Sequence, residues 1–111
     1  MDQYKLVVFT NPKGGREDEY NDWYDNIHLD DVLRVPGFYR AQRFETARTL
    51  PGAEPTHKYL AIYEFESDDL DATFELFFKA TNTPAMMISD ALGEDAKPFV
   101  YKVRAPAKEH A

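Results

Sequence analysis

The chain has 111 residues, with 13 basic and 20 acidic side chains and a formal charge of −7. That length allows one domain, expected over residues 1–105 with a flexible tail at 106–111. The acidic balance argues against a nucleic-acid or acidic-membrane partner, since both need a basic footprint, and the lack of cysteine excludes disulfides, thiol catalysis and zinc–thiolate sites. MDQYKLVVFT has no basic start followed by a long apolar run, and no stretch is apolar enough to span a bilayer. A cytoplasmic protein is therefore expected.

YKLVVFT is rich in β-branched and aromatic residues and is stopped by NPKGG, which predicts a strand. A helix is expected from Arg16 to His28. Its first turn holds Glu17, Asp18 and Glu19, which suit the positive end of the helix dipole. Tyr20, Trp23, Tyr24, Ile27 and Asp31 fall on one face at helical spacing, with His28 at its edge. The helix should end by Val35, because Pro36 pushes the residue before it out of helical geometry. GFYRAQRFETA predicts a second strand, TLPGAEPT a loop and HKYLAIYEFE a third strand. In that strand His57, Tyr59, Ala61, Tyr63 and Phe65 share one face, and Lys58, Leu60, Ile62, Glu64 and Glu66 share the other. Ser67 is expected to cap a second helix with Leu70, Phe74, Phe77 and Phe78 as its buried stripe. A short third helix is expected from Thr83–Pro84 to Gly93, and KPFVYKVRA is the last strand.

The order β-α-β-β-α-(α)-β predicts an α+β, ferredoxin-like βαββαβ fold: an antiparallel sheet with helices on one face. Strand three carries apolar residues on both sides, and helices cover only one. A second copy of the sheet is the natural cover for the other, so a homodimer through the sheet face is expected.

DEYNDWYDNIHLDDVLRVPGFYRAQRF, followed by YLAIYEFE, resembles the dimeric α/β-barrel superfamily, and within it the EthD-like proteins. In those a Trp-Tyr pair on the first helix precedes a histidine and a Pro-Gly-Phe strand entry. The resemblance implies the dimeric α/β-barrel fold but fixes no reaction. The superfamily includes polyketide cyclases and dehydratases, cofactor-free quinol-type monooxygenases, haem-degrading enzymes, lyases and proteins without an assigned activity.

His28 is the first candidate for chemistry, since an imidazole moves protons near neutral pH. The resemblance implies the same role, because related cyclases use a first-helix histidine in proton transfer. The plainer reading is a helix-end histidine stabilised by the dipole and by Asp30 or Asp31. Tyr24, one turn earlier, reaches the same space. It either bonds a substrate oxygen or is a core tyrosine with its hydroxyl at the rim. Trp23 reads as pocket wall or core. Tyr63 and Tyr59 join the site if their strand face looks toward helix one, and the dimer interface if it looks the other way. Arg43 would steady a carboxylate or enolate, or else pair with Glu64 across strands. Arg40 reads as surface, His57 as exposed, and Met86 and Met87 as filler or part of a lid. NPKGG lacks the lysine–hydroxyl pair of a phosphate loop, and no metal-ligand spacing stands out.

The leading expectation is a cofactor-independent enzyme of cyclase, dehydratase or lyase type. It would act by acid–base chemistry on an aromatic or polyketide-like carbonyl compound, a small hydrophobic ligand. His28 and Tyr24 would be catalytic, and Trp23, Tyr63, Arg43 and Tyr59 would bind substrate. Two alternatives stand beside it. One is a monooxygenase of the same fold, cofactor-free or with haem on His28 or His57. The other is a non-catalytic ligand-binding or accessory dimer.

Overall fold

A computed structural model describes residues 1–111. Its strands are β1 (Asp2–Thr10), β2 (Phe38–Glu45), β3 (Tyr59–Ser67) and β4 (Lys97–Lys102). They form one sheet in the order β2-β3-β1-β4, with every neighbouring pair antiparallel. The helical segments are α1 (Glu17–Trp23), a π-helical turn (Tyr24–His28), α2 (Leu29–Leu33) and α3 (Leu70–Ala80). This is the expected α+β, ferredoxin-like arrangement, and no helix is long and apolar enough to cross a membrane.

The period-two pattern of β3 settles which sheet face the helices cover. Tyr59, Ala61, Tyr63, Phe65 and Ser67 are buried, while the residues between them are half-buried. The buried set packs with Tyr20, Trp23, Tyr24 and Val32 of the helical run in one core. Phe38 stacks on Phe65 at 4.5 Å between ring centroids, and Phe65 stacks on Tyr4 at 5.3 Å. Burying one such side chain contributes roughly 1.5–3 kcal/mol. On the opposite face, Val7 and Phe9 of β1 lie in register with Ile62 and Leu60 of β3 and with Phe99 and Lys97 of β4. Phe44, Phe99 and Tyr101 remain exposed on that open face.

The entry to β2 depends on Gly37. Its φ is +96°, and a Cβ there would lie 2.6 Å from the carbonyl oxygen of Glu66. The close approach lets the Glu66 N–H donate to the Gly37 oxygen at 3.0 Å, pinning β2 beside β3.

The helical run departs from the expected face. Within the π-helical turn the Leu29 N–H bonds the carbonyl of Tyr24, five residues back. Each residue of such a turn advances less around the axis than in an α-helix. Ile27, expected inside, is therefore 48 % exposed, and His28 takes the buried place. Further on, Asp31 and Val32 are both buried.

Two other expectations are corrected. Ser67 does not cap α3, because it is still the last residue of β3. Asp69 is the cap, its carboxylate accepting the Ala72 N–H at 3.1 Å, while Ser67 Oγ accepts the Asp69 N–H at 3.0 Å. No residue of α3 is fully buried; Leu70, Phe74 and Phe77 pack against the core, and Phe78 is 67 % exposed. The expected third helix is absent, and residues 81–96 form turns and isolated bridges. Asn82 takes a left-handed φ of 63°, which breaks helical propagation. The Met86 N–H then closes a turn on Thr83 O at 2.9 Å and buries its side chain completely. The segment is tied to the loop after β1 through Lys13 N–H to Ala91 O and Gly93 N–H to Asn11 O, both 2.8 Å.

Candidate functional site

Between the helices and the sheet lies a cavity of about 360 Å³. Thr10, Tyr24, His28 and Tyr63 line it. Leu6 and Val8 form its floor from β1, and Pro98 and Val100 extend that floor from β4. Phe74, Phe77 and Phe78 wall it from α3, with Ile88 and Leu92 from the segment after α3. The polar groups of Tyr24, His28 and Tyr63 cluster together, Thr10 and Thr81 add hydroxyls, the rest of the lining is apolar, and no charged side chain lines it.

His28 lines the cavity because the π-helical turn puts it there. Its ring stacks on Trp23 at 4.6 Å, stands edge-on to Tyr24 at 5.1 Å and faces Tyr63 at 6.4 Å. Its Nδ1 is buried and has no hydrogen-bond partner. Burial lowers its pKa to about 4, so the imidazole is neutral at physiological pH. The helix-end reading does not hold: Asp31 pairs with Arg34 instead.

The Tyr63 hydroxyl donates to that of Tyr24 at 3.4 Å, a long contact that a bound oxygen could replace. Burial pushes the Tyr24 phenol up to about 12 and the Tyr63 phenol well above its ordinary value. Both are neutral hydrogen-bond donors at working pH. Trp23 stands behind His28 outside the cavity lining, and its Nε1–H donates to Met87 O at 3.1 Å.

Arg43 and Tyr59 do not line this cavity. They line a separate recess with Asn21, Asp25, Phe44 and Glu45. Arg43 pairs with Asp25 at 2.8 Å rather than with Glu64, because its side chain lies on the helix-covered face of β2. The partners of Glu64 are Lys5, 2.5 Å away, and exposed Arg40, 3.3 Å away, both on the open face. Tyr59 donates its hydroxyl to Glu17 and accepts from Asn21 Nδ2 at 3.1 Å.

His57, expected to be exposed, is buried. Nδ1 meets Thr56 Oγ1 at 2.8 Å and Nε2 meets Asp95 O at 2.7 Å. The loop after Gly93 folds over it, a contact between distant parts of the chain that no local pattern announces. The cavity residues that sequence reasoning missed are mainly on β1, β4 and the segment after α3. The only local signal was the alternation in YKLVVFT, which places Leu6, Val8 and Thr10 on one face.

No family model matches the chain, and no curated protein sequence matches it. Solved structures do. A candidate monooxygenase from Shewanella loihica PV-4 superposes with a TM-score of 0.65 at 14 % identity, over 95 % of this chain and 97 % of that one. An MhuD variant holding two manganese protoporphyrin IX molecules per active site gives 0.60 at 15 % identity, over 96 % and 99 %. An EthD family protein from Bacillus halodurans C-125 gives 0.52 at 13 % identity, over 91 % and 97 %. The chain has the ferredoxin-like fold. At these identities the likeness establishes the fold, and in the fold the EthD-like resemblance is borne out.

Proposed function

We propose that the protein is a monooxygenase acting on a small, uncharged aromatic hydroquinone or related phenol. The carrying observation is His28: a buried imidazole, neutral, with an unpartnered Nδ1, beside Tyr24 and Tyr63 in a largely apolar cavity. A neutral imidazole can take the proton as the substrate hydroxyl ionises, the phenolate beside it offsetting the burial that lowers its pKa. The kinship of fold with candidate monooxygenases supports oxygenation over the cyclisation, dehydration or elimination expected first.

His28 accepts the proton of the substrate hydroxyl. Tyr24 and Tyr63, both buried, donate hydrogen bonds to the oxygen left behind. The resulting phenolate is electron-rich enough to reduce dioxygen itself. One oxygen atom bonds to a ring carbon and the other leaves as water. A hydroquinone plus O2 thus gives a hydroxyquinone plus H2O, the substrate supplying all the electrons.

Haem enters through the porphyrin-binding relative. A porphyrin carries propionates that need cations, and a flavin nucleotide carries a phosphate with the same need. No lysine or arginine lines the cavity. These residues fit a compact neutral aromatic and do not fit either group.

The open sheet face, with Val7, Phe9, Ile62, Phe99 and Phe44, would be covered by a second copy of the chain. Lys5 and Arg40 on that face both pair with Glu64 within the chain, which lowers the cost of covering them.

The test is oxygen uptake over the uncatalysed rate with neutral naphthohydroquinones, with product mass measured in parallel. Oxygen consumption and a product one oxygen heavier and two hydrogens lighter are expected. Turnover that persists without oxygen would move the assignment to a lyase or isomerase.

A further inference from the structure

Arg43 is built against the wall of the His28 cavity without lining it. It projects from β2 opposite Ala61, whose small side chain leaves it room. Its side chain is only 10 % exposed. The guanidinium carbon lies 4.4 Å from the ring centroid of Tyr24, 4.9 Å from that of Tyr59 and 5.0 Å from that of Tyr20. Nη1 donates to Asp25, while Nε and Nη2 are buried and donate to nothing. Leaving two donors of a nearly buried cation unpaired is costly. Three aromatic faces repay part of that cost. The rest suggests a role that a neutral side chain would not fill.

Tyr24 links the two sides. Its ring carries Arg43 against it, and its hydroxyl meets that of Tyr63 inside the cavity. A cation on a phenol face draws electron density from the ring and makes its O–H a stronger donor. We propose that Arg43 is a positioning residue acting through the Tyr24 ring: it is the fixed positive charge that lets this apolar cavity prefer the phenolate form of its ligand. The inference rests on the reading of the cavity as a phenol site.

The surrounding charges set the sign. Asp25 opposes Arg43 directly but is exposed on its outer side. Glu45 lines the same recess, and Glu17 holds the Tyr59 hydroxyl, with Lys58 beside that carboxylate. His28 is neutral until it takes a proton from the ligand, so a phenolate that enters already ionised meets no charge on it. Burial opposes any anion in the cavity, and Arg43 is the group placed to counter it.

The test uses para-nitrophenol, whose absorbance reports its ionisation, titrated into the full-length protein across pH. Arg43→Gln should weaken binding of the phenolate relative to the neutral phenol by roughly two- to thirtyfold. Asp25→Asn should strengthen it by a smaller factor, because its charge is screened. Arg43→Lys should restore part of the preference. Opposite signs for the two neutralising variants support the proposal. A merely structural ion pair would weaken both forms alike in both variants, and that result overturns it. If Arg43→Gln does not fold, the sign of Asp25→Asn decides. A wild type that binds neither form overturns the phenol reading of the cavity and this proposal with it. A wild type that binds both forms, with the same preference kept in the variants, overturns the role of Arg43 alone.

Discussion

His28 and His57 are each 8 % exposed, but their ring nitrogens meet different surroundings. Both nitrogens of His57 are held, one by Thr56 and one by the Asp95 carbonyl, so this side chain ties the strand start to the loop after Gly93. His28 stacks on Trp23, lines a cavity and leaves Nδ1 without a partner. Burial alone therefore does not mark a working histidine. What separates the two is whether the fold has already used the hydrogen-bonding capacity of the ring.

The largest expected effect breaks the pair apart directly. His28→Ala should lower turnover of a naphthohydroquinone by roughly a hundredfold or more, the usual worth of a general base, with circular dichroism unchanged. His57→Ala should leave the chemistry intact and cost about 1–3 kcal/mol of stability in urea unfolding, because it removes a buried ring and its hydrogen bonds to Thr56 and the Asp95 carbonyl. Loss of turnover in His57→Ala at unchanged stability would reverse the assignment.

The next effect is on stability against pH. The folded pKa of His28, about 4, lies below its ordinary value of 6.5. Between those values the unfolded chain binds more protons, so stability rises with pH across that window. The contribution is complete above about pH 6.5 and is lost as pH falls toward about 4, amounting to about 3 kcal/mol at most. Urea unfolding of wild type and His28→Gln at several pH values checks this. The variant should lose less stability on acidification, and identical profiles would contradict the account.

A smaller effect should follow Tyr63→Phe. Its hydroxyl contact to Tyr24 is long, so stability should change by about 1 kcal/mol or less. Turnover should drop about tenfold if that hydroxyl helps hold the substrate oxygen, on the scale of one hydrogen bond lost in the transition state. Smallest is an optical signature. Trp23 is the only tryptophan and stacks on His28, so its fluorescence should respond to ligand in wild type and respond less in His28→Gln. His57→Gln should behave as wild type.

The element order and the four strands were legible in the sequence because alternation, turn residues and the Pro36–Gly37 break are local signals. So was the meeting of Tyr24 with His28, which follows from helical spacing. The buried place of His28 was not, since a π-helical turn of one extra residue has no compositional mark. Ile27 looked the better core residue by periodicity and lost its place to His28. The third helix was misread because Thr83–Pro84 suits both a helix start and a tight turn, and the burial of Met86 decided for the turn. Arg43 was expected to bind substrate or pair with Glu64, but it lies outside the cavity, and its contacts depend on the covered face of β2 and on Asp25, eighteen residues away. The role of His57 depended on a loop nearly forty residues downstream, at a separation of 38.

The most direct test of the central claim is a nitrogen-15 magnetic-resonance titration of the histidine rings, with and without a bound naphthol. The account predicts that His28 is mainly neutral above pH 5, is half-protonated only near pH 4, and shifts when the naphthol binds. A His28 that titrates at its ordinary value and does not respond to the ligand would contradict it.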